Sequence, residues 1–422
     1  MSGTGPYPKI LLLGGEAMSS ATATGITLRN LFAGYPVEKI AAVFSTTFDP
    51  DWQCAGRYYR INQRDVCGLK GHGRRYLPPF PAVSSGMNPG NTPPPGALKG
   101  LFRKTALEVL EWFPLTVPPE LELFLDDFAP DIVYTLGAQT QIMRLAESIS
   151  VKRNLPVVLH FMDNWIETRY AGALHSLSRK KMLDALDRLM KRSSLFMTIS
   201  PEMAEAYRTR FRMPGHPFMN CIPKREYRPP AEPGDGPLKI YYIGGLHLQR
   251  GETIGRVAKV LREDADLKNR FRIAVFAPEK DWKQTEALHG DPLVEYGGNL
   301  PYRQVSEKTA EADILLHVEA FAPEITDYTR LSISTKLVEY FMAGRVVLGV
   351  APKHLASIRE IERAGCFSAV TEEEIAEALR KLSSPETRQN GGKRAYEYAL
   401  ETHSAEKVHE RFLKVFQQAW AK

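Results

Sequence analysis

The sequence predicts an α/β protein built from two Rossmann-like, doubly wound domains. Its 422 residues exceed the size at which one hydrophobic core stops growing, roughly 250–300 residues. Short apolar runs of strand length alternate with helical patterns, an order that produces parallel sheets covered by helices on both faces. This alternation stops at a segment rich in proline and glycine, residues 223–237, and then restarts. The sequence therefore predicts a linker there, with one domain on each side.

The first predicted domain opens on a buried-type strand at 9–13, which ends at Gly14 and Gly15. A helix follows at 26–31, and a later helix begins at Ser200 and Pro201, because serine is a good N-cap and proline suits the first helical position. The other strands of this domain are predicted at 40–44, 132–135, 157–160 and 195–199.

The second predicted domain repeats the design after the linker. Its strands are predicted at 239–242, 271–276, 314–318 and 346–350. The last helix is predicted at 405–420, where apolar residues recur at near-helical spacing and form one face to be buried.

Composition and short motifs disfavour several classes of protein. The 43% hydrophobic and 25% charged residues are ordinary globular values. The apolar runs are far shorter than the ~20 residues of a transmembrane helix, and residues 1–8 lack the pattern of a signal peptide. Four cysteines without a metal-binding pattern favour reduced thiols in a cytoplasm. The absence of G-x-G-x-x-G and G-x-S-x-G disfavours a dehydrogenase and a serine hydrolase.

The net charge of +6 suits an anionic partner, such as a nucleotide diphosphate or an acidic membrane surface. It is too scattered to predict nucleic-acid binding. The long stretch 68–100 is rich in glycine and proline and contains Arg74, Arg75 and Tyr76. Loops of this length are usually functional or disordered. Both an acceptor-binding or membrane-touching loop and a mobile insertion stay open as interpretations.

The most informative stretch is 330–347, RLSISTKLVEYFMAGRVV. Ser334 and Thr335 precede an apolar helix, and Lys336 adds a positive charge in its first turn. Hydroxyls, free backbone N–H groups and a cation at a helix N-terminus form a ready anion site. Glu339, about one turn further along, could accept two ribose hydroxyls. A serine-capped helix with a solvated Glu–Lys face fits the local pattern equally well.

The segment STKLVEYFMAGRVV resembles the donor-site signature of GT-B glycosyltransferases of the large retaining family 4. YYIGGLHLQRG at 241–251 resembles the start of that family's second domain, and ADILL at 312–316 resembles its helix-to-strand step. Residues 200–210 resemble a first-domain helix. The resemblance extends from about residue 9 to the end, and it implies the GT-B fold, with two Rossmann-like domains facing a cleft and a C-terminal helix crossing back to the first domain.

The resemblance also implies domain roles and donor ligands. Residues 1–222 would bind the acceptor, with 404–422 packing back on them, and 238–403 would bind the nucleotide sugar. The implied ribose ligand is Glu339, and Ser334 and Thr335 would meet the diphosphate through hydroxyl and backbone groups. Arg250 would neutralise the diphosphate, either alone or together with Lys336. No metal is expected, because a helix N-terminus and basic side chains do its work and no obvious DxD motif occurs. Asp126 and Asp127 are expected on the surface.

Two departures from the family pattern stand out. The family separates two glutamates by seven residues, yet Leu331 stands where the first is expected. Glu319 or Glu324, on the longer loop before it, are candidates to contact the sugar instead. The family's arginine after the first glycine of the second domain is also missing, since Gly245 or Leu246 stands there.

Three residues of the first domain are further candidates. Gly25 lies in the glycine-containing loop 14–27. Glycine there indicates either a backbone contact with the donor or only a tight turn. His160 and Asp163 follow a predicted strand, and the carboxyl ends of parallel strands are where such folds bind ligands. The resemblance implies that these two face the transferred sugar and take part in catalysis.

The resemblance thus implies a glycosyltransferase that moves a sugar from a nucleoside diphosphate sugar to an acceptor hydroxyl, with retention. The expected setting is bacterial polysaccharide or glycolipid biosynthesis, with a saccharide or lipid-linked saccharide acceptor and no cofactor. We expect a cytoplasmic location, with peripheral contact at the inner face of the cell membrane as an option. Two alternatives stay open: a nucleotide-sugar 2-epimerase of the same fold, and an inactive binding protein.

Overall fold

The computed structural model describes residues 7–20, 22–46, 49–61, 74–76, 108, 112, 117–227, 229 and 236–421. The chain divides into two compact units, of which unit 1 comprises Met1–Phe218 and His409–Lys422. Unit 2 is Met219–Val408, so the division falls a few residues before the predicted linker. Of the loop predicted at 68–100, only the strand Arg74–Tyr76 is described, and the loop's predicted roles lie outside the described residues.

Unit 1 is a doubly wound, mostly parallel sheet. Its strands are β1 (Ile10–Gly14), β2 (Ile40–Phe44), β3 (Arg57–Arg60), β4 (Arg74–Tyr76), β5 (Ile132–Thr135), β6 (Val157–Phe161), β7 (Phe196–Thr198) and β8 (Gly215–Pro217). They lie in the order β4-β3-β2-β1-β5-β6-β7-β8, and β4 runs antiparallel to β3. Because the order reverses between β1 and β5, the topological switch point of this sheet lies there.

The helices of unit 1 follow the strands as the alternating pattern predicts. They are α1 (Ala23–Phe32), α2 (Pro119–Phe128), α3 (Thr140–Arg153), α4 (Trp165–Thr168), α5 (Ser176–Met190) and α6 (Pro201–Phe211). The predicted cap of α6 is confirmed, because the Ser200 hydroxyl accepts a hydrogen bond from the backbone N–H of Met203 at 3.0 Å.

Unit 2 is a parallel sheet of the same design. Its strands are β9 (Leu238–Ile243), β10 (Phe271–Phe276), β11 (Val294–Gly298), β12 (Ile314–Val318), β13 (Val346–Val350) and β14 (Phe367–Ala369). The order β11-β10-β9-β12-β13-β14 reverses between β9 and β12, which places the switch point of this unit between those two strands. The fold class predicted from the sequence, two doubly wound α/β halves, is confirmed.

The helices of unit 2 surround this sheet. They are α7 (Arg250–Glu263), α8 (Ala265–Arg270), α9 (Glu279–Lys283), α10 (Tyr302–Ala310), α11 (Pro323–Thr329), α12 (Lys336–Met342), α13 (Ala356–Arg363), α14 (Glu372–Leu382) and α15 (Pro385–Thr402). Gly344 follows α12 with φ +67°, the left-handed conformation that ends helices and that glycine adopts without strain.

The final helix, α16 (Ala405–Trp420), ends in unit 1 although the residues before it belong to unit 2. Its Phe412 and Phe416 are buried, and both rings contact Phe32 on α1, with centroids 5.1 and 6.0 Å away. The imidazole of His409 lies 2.8 Å from the carbonyl of Asn30. The C-terminal residues are thus part of the hydrophobic core of unit 1, as the fold prediction requires.

Among the described residues, we find no helix with the length and apolar character needed to cross a membrane.

Candidate functional site

Polar side chains gather at the switch point of unit 2, at the carboxyl ends of β9 and β12. Gly244 follows β9, and His317 and Glu319 lie at the end of β12. Arg250 begins α7 and Lys336 begins α12. Ligands of doubly wound sheets bind at such a point, because the loops on the two sides diverge there. Topology therefore selects this cluster as the candidate site of unit 2.

Arg250 and Glu319 form a buried, bidentate ion pair. The Arg250 Nε and Nη2 donate to Glu319 Oε2 at 3.1 and 3.0 Å, and Nη2 also donates to Oε1 at 3.1 Å. The Glu319 side chain is only 4% exposed, and burial raises the pKa of its carboxyl, an effect that Arg250 and then Lys336 oppose. The guanidinium is thereby held at the site in one orientation.

Lys336 supplies a second cation. Burial and the neighbouring guanidinium of Arg250 lower the pKa of Lys336 to about 8, against the opposing effect of Glu319 and Asp281. Its ammonium group lies close to the backbone at Gly244, since a Cβ there would be 2.6 Å from the Lys336 Nζ. Glycine at this position leaves room for the cation beside the end of β9.

His317 lies among these charges with its side chain buried. The residue is 6% exposed, and its Nε2 has no hydrogen-bond partner in the structure. Nε2 is 3.6 Å from Glu319 Oε1, which is longer than a hydrogen bond. Burial, Arg250 and Lys336 together lower the pKa of His317 to about 3, so the ring is neutral at physiological pH.

The loop after β9 is fixed by a carboxylate from α9. Asp281 Oδ2 accepts a hydrogen bond from the backbone N–H of Leu246 at 3.0 Å, and the Tyr242 hydroxyl donates to the carbonyl of Gly245 at 2.6 Å. The Nε2 of His247 lies 3.2 Å from Arg250 Nη1. This loop therefore borders the Arg250 guanidinium, with His247 beside its Nη1 and Glu319 beside its Nε and Nη2.

Ser334 and Thr335 lie immediately before α12, as the sequence predicts, and both are half-buried. The Ser334 carbonyl accepts from the N–H of Leu337 at 3.1 Å, and the Thr335 side chain makes no capping hydrogen bond. The Thr335 carbonyl accepts from the Asn220 side chain at 3.3 Å. Ser334 and Thr335 thus adjoin Lys336 in sequence at the start of α12, and the Thr335 hydroxyl is not used to cap the helix.

Glu339 is buried one turn into α12, and its Oε2 lies 2.8 Å from Nη1 of Arg225. Arg225 belongs to the segment before β9, where its own carbonyl accepts from the Tyr396 hydroxyl at 2.5 Å. The carboxylate predicted to bind ribose is thus accompanied by a cation that the sequence analysis did not single out.

The two candidates for the missing first carboxylate differ in position. Glu319 is part of the cluster around Arg250, whereas Glu324 is exposed in the first turn of α11. Leu331, at the family's expected position, is buried. The structure therefore brings Glu319 near the predicted diphosphate ligands, and the sugar contact of either glutamate stays a prediction.

In unit 1, Gly25 lies in the first turns of α1, where its N–H donates to the Thr22 hydroxyl at 3.0 Å. A Cβ at Gly25 would lie 2.5 Å from the Ser19 hydroxyl oxygen, so only glycine fits. This close packing accounts for the glycine, and its predicted donor contact stays a prediction.

His160 lies in the core of unit 1, on β6. It is fully buried, its Nδ1 is 2.7 Å from the Tyr134 hydroxyl, and its Nε2 is 3.1 Å from the Phe218 carbonyl. Burial lowers the pKa of the imidazole to about 4. Asp163 follows the strand and is half-buried. The structure shows His160 linking the Tyr134 side chain to the Phe218 carbonyl, and the catalytic role of His160 and Asp163 stays a prediction.

The site contains functional candidates that sequence reasoning missed, namely His317, Arg225 and Asp281. His317 carried a weak signal, because it is a polar residue at the end of an otherwise apolar predicted strand. Arg225 and Asp281 carried none, since charged residues in a proline-rich segment and a short helix are ordinary surface features. The described residues include no group of three or more His, Cys, Asp or Glu side chains placed to hold a metal ion.

Comparisons with known proteins agree with this fold. Residues 256–414 match the family model described as glycosyl transferase-like. No curated protein matches the chain in sequence.

Among solved structures, HepE from Anabaena in complex with UDP superposes with a TM-score of 0.62, at 12% identity, over 97% of this chain and 100% of that one. The UDP-forming α,α-trehalose-phosphate synthase from Burkholderia xenovorans, solved with glucose-6-phosphate, gives 0.60 at 10% identity over 97% and 100%. WaaG, a glycosyltransferase involved in lipopolysaccharide biosynthesis, gives 0.54 at 14% identity over 96% and 99%. The chain therefore has the GT-B fold, and its second unit carries a glycosyltransferase-like domain.

Proposed function

We propose that the protein is a glycosyltransferase that uses a nucleoside diphosphate sugar as donor and an acceptor hydroxyl as nucleophile. The observation that carries the proposal is the cluster of Arg250 and Lys336 at the switch point of unit 2, beside the start of α12. Two cations and the backbone N–H groups of a helix start are the groups that bind a diphosphate.

The cluster suits the chemistry of the leaving group. When the bond from the anomeric carbon to the β-phosphate oxygen breaks, the electron pair stays on that oxygen and negative charge grows there. Arg250 and Lys336, held in place before the reaction, would stabilise this charge electrostatically. As the new glycosidic bond forms, the proton of the acceptor hydroxyl passes to an oxygen of the departing diphosphate, which has gained the negative charge. By family resemblance we infer retention of the anomeric configuration and no requirement for metal.

Glu339 is our candidate for the ribose ligand. Its carboxylate is an acceptor and the ribose hydroxyls are donors, so the two are complementary. Arg225, 2.8 Å away, would hold the carboxylate in place or exchange with ribose. Ser334 and Thr335 would meet the diphosphate through hydroxyl and backbone groups.

The solved neighbours support uridine nucleotides as the first to test. HepE was solved with UDP and with UDP-glucose, and the trehalose-phosphate synthase is named as UDP-forming. For this chain, we further propose a saccharide or lipid-linked saccharide acceptor in bacterial polysaccharide or glycolipid biosynthesis. Action in the cytoplasm, with contact to the inner membrane face, belongs to the same proposal.

The test begins with thermal-shift titrations using UDP, GDP, ADP and their sugars. We expect one nucleotide series to raise the melting temperature, because a ligand that binds only the folded state stabilises it. Glu339→Gln should weaken that nucleotide about tenfold or more, since hydrogen bonds to a charged acceptor are lost.

Glu377→Gln is the matched control, because Glu377 is exposed on α14 of the same unit and has no predicted role in the site. It should bind the nucleotide as the unchanged protein does. A well-folded protein that none of the nucleotides or sugar nucleotides stabilises would contradict the proposal, and transfer or hydrolysis of a sugar nucleotide by the unchanged protein would establish the enzyme.

A further inference from the structure

His317 is a buried polar side chain without a hydrogen-bond partner at its Nε2. Burying such a group costs free energy, because the nitrogen gives up water and gains nothing in return. Most buried polar groups in native proteins have a hydrogen-bond partner, so the unpartnered Nε2 of His317 calls for an explanation.

The position itself does not require histidine. Alternate residues of a strand share one face, and Leu315, which shares the face of His317 on β12, is buried and apolar. An apolar side chain at 317 would fill the same space without a stranded nitrogen. Packing alone therefore does not explain the residue.

The surroundings of Nε2 indicate what would satisfy it. Its protein neighbour Glu319 is 3.6 Å away, and both carboxylate oxygens of Glu319 already accept from Arg250. Arg250 and Lys336 both act electrostatically on the imidazole and favour its neutral form. An anionic ligand drawn by these two cations would bring acceptor oxygens to the same place, and the neutral ring with its proton on Nε2 is a donor.

We propose that His317 donates a hydrogen bond from Nε2 to the diphosphate of the donor substrate, beside Arg250 and Lys336. The inference rests on the proposed function and adds one residue to it. A neutral donor strengthens as charge grows on the leaving oxygen, yet it adds no third positive charge to the buried cluster. On this proposal, the unpartnered Nε2 lowers the stability of the free protein and gains its hydrogen-bond partner when the ligand binds.

The experiment compares His317→Leu with His317→Gln in the full chain. The probes are inorganic pyrophosphate, which needs no base, and UDP, both titrated by isothermal calorimetry. We expect His317→Leu to weaken both about tenfold, the usual effect of losing a hydrogen bond to a charged group. Its melting temperature without ligand should equal or exceed that of the unchanged protein, because the unpartnered nitrogen is gone.

His317→Gln carries an amide N–H near the position of Nε2 and should bind within about threefold of the unchanged protein. His289→Leu is the control, because His289 is exposed and its Nε2 already lies 2.9 Å from the Trp282 carbonyl. It should leave binding as it is.

The outcomes separate this inference from the function on which it rests. If the unchanged protein binds UDP or pyrophosphate and folded His317→Leu binds it equally well, the inference is overturned and the proposed function stands. Equal losses in folded His317→Leu and His317→Gln also overturn it, since shape rather than the N–H group would then matter. Failure of the unchanged protein to bind pyrophosphate or any nucleoside diphosphate overturns both.

Discussion

At the scale of single residues, the candidate site depends on how charges are balanced in a confined space. Arg250 and Lys336 are close enough that each disfavours the other's charge, and Glu319 offsets this repulsion. A bound diphosphate would relieve the remaining imbalance. The free site therefore holds positive charge that only an anionic ligand stabilises fully.

This balance predicts a pH dependence of binding. The pKa of Lys336 is about 8, lowered first by burial and then by Arg250, so the ammonium form dominates below pH 8 and is lost above it. Because the diphosphate favours the ammonium, affinity should fall as pH rises through this range, by up to about tenfold per pH unit at its upper end. Isothermal titration of UDP between pH 7.5 and 9.5 measures this change.

The range from pH 7.5 to 9.5 covers the titration of Lys336 but not that of the phosphate or of the neighbouring His247 and Tyr242. Terminal phosphate ionises near pH ~6 and is already fully charged. Burial and the neighbouring Arg250 lower the pKa of His247, while burial raises the pKa of Tyr242, so both lie outside the range. Lys336→Arg keeps a permanent charge and should show a flat profile. If the affinity of the unchanged protein for UDP did not change over this pH range, the assignment of Lys336 as a diphosphate ligand would be wrong.

Local residue patterns predicted part of this site. Ser334, Lys336 and Glu339 were found because their roles depend on spacing along one helix start, which a sequence displays directly. Arg225 was not, because it meets Glu339 only through the folding of a distant segment. His317 shows the same limit, since a buried nitrogen without a partner is a tertiary property.

At the scale of elements, a buried polar cluster in unit 2 connects α13 to the C-terminal end of α15. Glu360 accepts from Arg363 Nη2 at 2.5 Å and from the Tyr398 hydroxyl at 2.9 Å, and its Oε1 lies 2.8 Å from His403 Nε2. Burial alone would raise the pKa of Glu360, but His403 and Arg363 outweigh it and lower the pKa to about 2. The carboxylate is thus ionised and fully engaged.

We expect Glu360→Gln to destabilise the protein by about 3 kcal/mol at pH 7, because it removes one member of a buried charged cluster. Since the folded pKa lies below the ordinary value of 4.5, this stabilisation is present above pH 4.5 and is lost as pH falls toward 2. Urea unfolding at pH 7 and at pH 3.5 should therefore show a smaller difference between variant and unchanged protein at the lower pH.

Glu377→Gln provides the comparison, because Glu377 is exposed and pairs with Lys381 one turn away. Exposed pairs of this kind contribute at most about 0.5 kcal/mol. Equal effects of the two substitutions would show that the cluster at Glu360 is not a stabilising contact.

The elements themselves were predictable where burial is complete. β1 and β13 are continuous apolar runs, as parallel strands covered on both faces must be. β3, with the sequence RYYR, was missed because its arginines give no apolar run, although Tyr58 and Tyr59 are fully buried. Short strands at sheet edges, such as β8 and β14, carry too few residues for a recognisable pattern.

At the scale of the whole chain, the C-terminal residues do not belong to the unit that precedes them in sequence. Residues 409–422 follow unit 2 in sequence and belong to unit 1 in structure. The amphipathic pattern of α16 predicted a buried face, but only the family resemblance indicated which domain it would bury against. The aromatic contacts of Phe412 and Phe416 with Phe32 and Tyr134 supply the physical reason.

Because this part of α16 belongs to unit 1, a substitution in it should destabilise unit 1. Phe412→Ala should destabilise unit 1 by about 3–5 kcal/mol, because it leaves a cavity among packed aromatic rings. Phe412→Leu, which keeps most of the volume, should cost less than about 1.5 kcal/mol. Hydrogen exchange followed by mass spectrometry should show faster exchange in β1 and β5, since α1 and α16 cover the Phe32–Tyr134 part of that core. Loss of protection confined to β9 and β12 would instead mean that Phe412 supports unit 2, contrary to the packing observed.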